Sequence, residues 1–263
     1  MKRLIIGYLA AGVAFCGLRW ADLALWTDHA SGLVTAGPVW ARYAVLAVFA
    51  AAALVAGRAA AGSPAPLRTR QWAAAVPALA GTFLCVAGGI LGLIQAAGVA
   101  AVASSILLLA CGGWLGWLGF AWVAGGGRRP SAWLGVAGTL LFVWQILNSF
   151  MTNGSSWYRT IPTSAVWQQL SALLFLTALL RVLCLPAQTS GRAVGGYGLL
   201  AFCLCFCWQL PRCVLLGAGF SGWALAAIGL LGGVCALLCA AAEPRPGLLT
   251  RLDDLPKVLK RFE

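Results

Sequence analysis

Apolar stretches, each about the twenty residues an α-helix needs to cross a bilayer, alternate along this chain with short polar breaks. The first stretch runs from Leu4 to about Trp26 and is followed by Thr27, Asp28, His29 and Ser31. The second covers about Pro38 to Gly57, and residues 58–71 form a loop with Arg58, Arg68, Arg70, Pro64 and Pro66. From Trp72 to Ala124 there is no charged residue. That run is too long for one crossing and suits a hairpin of two, with the turn near Gln95–Gly98. Three glycines, Arg128, Arg129 and Pro130 end the hairpin, because Gly and Pro continue a helix poorly. A fifth span is predicted at about Ser131–Phe150, then a polar loop over 151–162. The sixth spans about Thr163–Leu185 and the seventh about Val194–Leu216. A break at Gly217, Gly219 and Gly222 leads into the eighth, which ends near Ala242.

The expected fold is therefore all-α: a polytopic membrane bundle of eight helices over residues 1–242, with a tail over 243–263. Composition agrees, since 62% of the residues are hydrophobic and 9% are charged, against about 25% charged in soluble domains. Residues 4–26 read as a retained first span rather than a cleaved leader. No small-x-small site follows them, and Arg19 and Asp22 interrupt the place where one would fall. In outline the chain resembles the short Trp- and Leu-rich multi-pass proteins of bacterial cell membranes, a likeness that carries no activity over.

The charge pattern gives direction. With the N-terminus in the cytoplasm, the inner segments hold Lys2 and Arg3; Arg58, Arg68 and Arg70; Arg128 and Arg129; Arg181 and Arg192; and five basic residues of the tail. The outer side keeps Arg19, Arg42, Arg159 and Arg212. Basic residues concentrate on the cytoplasmic side of membrane proteins, so both termini are expected there. The net charge of +12 is scattered between spans rather than pooled on one face, which argues against nucleic acid as a partner.

Several chemistries are missing. His29 is the only histidine, and Asp22 and Asp28 are the only acids before Glu243. Bis-histidine haem ligation and relays of buried carboxylates are excluded, and no phosphate-binding Gly-rich loop is present. None of the ten cysteines is in a C-x-x-C pair. Cys203, Cys205 and Cys207 alternate, and a regular helix would turn Cys205 away from the other two. No cofactor and no metal are expected, and the balance leans away from an enzyme.

What remains is polar chemistry near the outer ends of the spans. Arg19 and Asp22 are three residues apart, on one helix face where they can pair. With Arg42, Gln145, Asn148, Arg159, Gln168, Gln209 and Arg212, and with Gln169 beside them, they form the candidate lining of one basic outer vestibule for an anion such as a lipid phosphate. The plainer reading has unrelated arginines snorkelling to headgroups and amides bridging helices, worth roughly 0.6 kcal/mol each. Trp-Gln recurs at Trp144-Gln145, Trp167-Gln168 and Trp208-Gln209, a weak hint of internal repetition. Gly88/Gly92, Gly112/Gly116 and Gly229/Gly233 have the spacing of close helix approach.

In the tail, Leu248, Leu252, Leu255, Leu259 and Phe262 share a helix face, with Arg251, Lys257, Lys260 and Arg261 off it. That suits a segment lying on the anionic inner leaflet or one docking a partner. Three functions follow as expectations. The first is a membrane accessory or scaffold subunit binding lipid or, through its tail, another membrane protein. The second is a small permease for a neutral or anionic solute. The third is an outer-face enzyme on lipid headgroups using Arg19, Asp22 and His29. Oligomeric state has no signature in the sequence.

Overall fold

The computed structural model describes residues 2–28, 33–60, 62–125, 131–152, 160–185 and 191–241. Among them are eight helices long and apolar enough to span a membrane. They are α1 (Lys2–Leu25), α2 (Val39–Ala60), α3 (Trp72–Ile94), α4 (Val99–Ala124), α5 (Ala132–Thr152), α6 (Thr160–Cys184), α7 (Arg192–Leu215) and α8 (Phe220–Ala241). The α3–α4 hairpin turns where expected. Helix α6 starts earlier than expected, at Thr160, because Pro162 falls in its first turn, where a missing N–H costs no helix bond. Helix α2 runs past Gly57 and carries Arg58, whose guanidinium lies 5.7 Å from the Tyr197 ring centroid.

On α3 small residues face inward and large ones face outward, a pattern suited to a helix whose outer face meets lipid. On α3 the buried positions are Ala74, Ala75, Pro77, Ala78, Gly81, Cys85 and Gly89, while Val76, Phe83, Ile90 and Ile94 are exposed. Lipid does not push large apolar groups together as water does, so close backbone packing carries the helix association. The glycine pairs serve it within the chain. Gly112 and Gly116 meet Thr82, Cys85 and Val86 of α3; Gly229 meets the backbone at Cys205 and Phe206; Gly88 and Gly92 meet Leu108, Phe220 and Ser105. At Gly57, an added Cβ would lie 2.3 Å from the Gly195 carbonyl oxygen.

Helices α7 and α8 sit between two packed halves. One half is centred on α3, α4 and α6, around Cys111, Trp114, Leu115, Phe142 and Phe175; the other joins α1 and α2 to α7 through Ile5, Phe15, Leu46, Phe202 and Trp208. The loop between α2 and α3 is tied down by a short 3-10 turn, Ala65–Arg68. Arg68 donates from Nη2 to the carbonyls of Val182 (2.7 Å) and Leu185 (3.0 Å) at the end of α6. The Trp122 indole N–H donates to the Leu67 carbonyl at 2.8 Å.

Helix α7 departs from regular geometry. Residues Phe202–Cys207 form a π turn, with the Trp208 amide donating to the Cys203 carbonyl at 3.1 Å. Pro211 lies just beyond: it has no N–H for the carbonyl four residues back and its ring crowds it, and the wider turn absorbs that mismatch. Cys205 turns toward α6, where it meets Ser171, while Cys203 and Cys207 turn toward α1 and α2, the split the sequence predicts; all three are buried because α7 is packed on both sides.

Candidate functional site

Antiparallel succession brings the C-terminal ends of α1, α5 and α7 and the N-terminal ends of α2, α6 and α8 to one end of the bundle, here called the distal end. Two groups of polar side chains meet there.

The first group lies between α1, α2 and α7. Arg19 pairs through Nη1 with Asp22 Oδ2, as the three-residue spacing predicts. Arg42 reaches across from the first turns of α2, its Nε donating to Asp22 Oδ1 at 2.7 Å and its Nη2 to the Ala36 carbonyl at 2.9 Å. The guanidinium carbon of Arg19 sits 3.9 Å from the Trp208 ring centroid, a cation–π contact, and Trp208 in turn stacks on Phe15 at 5.7 Å. Arg19 is only 3% exposed and Asp22 only 8%. Arg19 Nε and Arg42 Nη1 are buried without an acceptor among the described residues. Arg212, half-buried on α7 one turn beyond Trp208, is close enough for its charge to act on Arg19, and its side chain has no hydrogen-bond or ion-pair partner among the described residues. Beside this group, Asp22, Trp26, Pro38, Ala41 and Arg42 line a mostly apolar hollow of about 310 Å³.

The second group lines a cavity of about 250 Å³ between α5, α6, α7 and α8. Gln145, Asn148, Gln168, Gln169, Gln209 and Arg212 all contribute to it, with Ser149 and Ser221. The three Trp-Gln steps thus share one destination, since each glutamine reaches the cavity. Their tryptophans take other roles: Trp144 donates to Ser104 Oγ at 2.8 Å, and Trp167 lies 5.8 Å from Tyr43. The π turn matters here as well. Gln168 donates from Nε2 to the Leu204 carbonyl at 3.0 Å, and Ser171 Oγ meets Cys205 Sγ at 3.1 Å. Gln168 therefore bridges α6 to α7 as well as lining the cavity. Gln209 is 2% exposed; its Nε2 makes a weak 3.6 Å bond to Cys213 Sγ, and its Oε1 has no partner among the described residues.

No protein-family model matches the chain, and no curated protein or solved structure matches it either. The site has to be read on its own chemistry.

Of the expected vestibule residues, the structure brings Arg19, Asp22 and Arg42 into one group and Gln145, Asn148, Gln168, Gln209 and Arg212 into the other, with Arg212 as neighbour to both. Arg159, His29 and the tail 243–263 lie outside the described residues. Ser149, Ser221 and Trp208 enter the site without having been singled out for it. Their cue is positional: Ser149 is one turn from Gln145, and Trp208 precedes Gln209. Among the described residues, no three His, Cys, Asp or Glu side chains gather in a way that could hold a metal ion.

Proposed function

We propose that this multi-pass membrane protein is a non-catalytic binding subunit whose distal end holds the anionic headgroup of a lipid. One observation carries the reading. Arg19, Arg42 and Arg212 bring three guanidinium groups to a site where Asp22 pairs with two of them, and the Arg212 side chain has no partner among the described residues. Buried charge is costly unless compensated, and a phosphate or carboxylate oxygen supplies the compensation that the protein leaves open. Guanidinium groups suit this task because their forked donors match such oxygens. The flanking apolar hollow at Trp26, Pro38 and Ala41 offers a place for the start of an acyl chain. The Lys/Arg distribution supports a distal end turned away from the cytoplasm, and the lipid would then come from the outer leaflet.

The test is thermal unfolding in nanodiscs. Phosphatidate at a modest mole fraction should raise the melting temperature over that in pure phosphatidylcholine. The rise should vanish in the Arg42→Gln/Arg212→Gln variant. Equal melting in both bilayers would overturn the reading. A permease draws on the same polar cavity and predicts solute flux in liposomes that fails when Gln145, Asn148 or Gln209 becomes Leu. The tail supports docking of another membrane protein, and its deletion should then abolish partner capture.

A further inference from the structure

The cavity between α5, α6, α7 and α8 has needs that a bare phosphate does not meet. Arg212 calls for an anion. Gln209 Oε1 and Gln169 Oε1 are buried acceptors with no donor among the described residues; a phosphodiester or carboxylate has no proton to give them at neutral pH, and a phosphate monoester has at most one for the two. The weak bond from Gln209 Nε2 to Cys213 occupies the nitrogen and leaves the oxygen open. An ammonium group could donate, but Arg212 repels it. Hydroxyl groups donate and accept at once, and so match side-chain amides and serines on all sides.

Size narrows the choice. About 250 Å³ lies just below the range of about 300–1,000 Å³ for drug-sized ligands. A six-membered polyol ring fits that volume.

We propose that this cavity binds a polyhydroxylated anion, a sugar or cyclitol phosphate, carried as a lipid headgroup or free in solution. The ring hydroxyls would bond Gln209, Gln169, Gln145 and Ser221, and the phosphate would lie toward Arg212 and Arg19. This rests on the anion-binding reading and adds to it a selectivity that the arginines alone do not confer.

The experiment is native mass spectrometry of the full chain released from phosphatidylcholine nanodiscs doped with either phosphatidylinositol or phosphatidate, with free inositol 1-phosphate as a competitor. Phosphatidylinositol should be retained about tenfold more than phosphatidate, the yield of one well-made extra hydrogen bond or two. Gln209→Leu should erase that preference while leaving phosphatidate retention in place. Gln145→Leu, at a half-exposed position, makes the same test should the buried Gln209 variant fail to fold. Competition by free inositol phosphate at equal concentration assigns the ligand to solution, and lack of competition assigns it to the bilayer; with the inositol preference intact, each supports the cavity chemistry. Equal retention of the two lipids by the wild-type chain overturns this proposal and leaves the anion reading standing. Retention of neither overturns both.

Discussion

Asp22→Asn is the sharpest probe of the distal charge cluster, because it removes one charge and keeps the side chain's shape. In the native chain the carboxylate meets Arg19 on one oxygen and Arg42, at 2.7 Å, on the other. Without it, guanidinium groups whose side chains are 2% and 11% exposed lose their counter-charge. Removing one partner of a buried pair costs about 3–5 kcal/mol, since the remaining charge stays buried and uncompensated. The Asp22 side chain keeps 12% exposure, which places the cost near the lower end, about 3 kcal/mol. At roughly 2–4 °C per kcal/mol for a chain of this size, melting should fall by about 6–12 °C. Tryptophan fluorescence in phosphatidylcholine nanodiscs reads it directly, because Trp208 lies under Arg19. In nanodiscs containing phosphatidate the loss should shrink, as a headgroup oxygen takes the place of the carboxylate. An unchanged melting temperature in phosphatidylcholine would refute the reasoning, since it would mean the arginines do not depend on Asp22 for compensation.

Three further perturbations test the frame around the site. Arg68→Met removes the side-chain bonds that close the end of α6 at Val182 and Leu185; at about 1.5–3 kcal/mol for a charged hydrogen bond, it should lower stability and speed proteolysis in the 62–71 loop. Gly57→Ala would put a methyl 2.3 Å from the Gly195 carbonyl oxygen, whereas Gly113→Ala points into open space; thermal melting should show a loss of about 1–3 kcal/mol for the first and little change for the second. Gln168→Leu strands the Leu204 carbonyl at the π turn, costing about 1–3 kcal/mol, and should increase amide hydrogen exchange around 204–209 more than Gln145→Leu does.

The eight spans are legible in the sequence because crossing length and lack of charge are properties of a single stretch, readable without knowing its neighbours. The Arg19–Asp22 pair is legible for the same reason, since three residues along one helix face is a local relation. Arg42 is different. Its bond to Asp22 depends on how the start of α2 docks against the end of α1, and spacing along the chain does not encode that. The π turn at Phe202–Cys207 is hidden as well. Pro211 signals a disturbed helix, but whether the chain kinks or widens depends on α6 and α8, where Gln168 and Gly229 accept the wider backbone. The Trp-Gln recurrence carries more than its frequency suggests, because all three glutamines reach one cavity from three helices. The split into a charged group and an amide-lined cavity, with Arg212 beside both, emerges only from packing.

The most direct test of the central claim, that the distal arginines hold an anionic lipid headgroup, is native mass spectrometry of the protein gently extracted from its own membrane. The account predicts a bound mass matching an anionic lipid in the wild-type chain and its loss in the Arg42→Gln/Arg212→Gln variant. A bare polypeptide in both, or the same lipid retained equally by both, would contradict it.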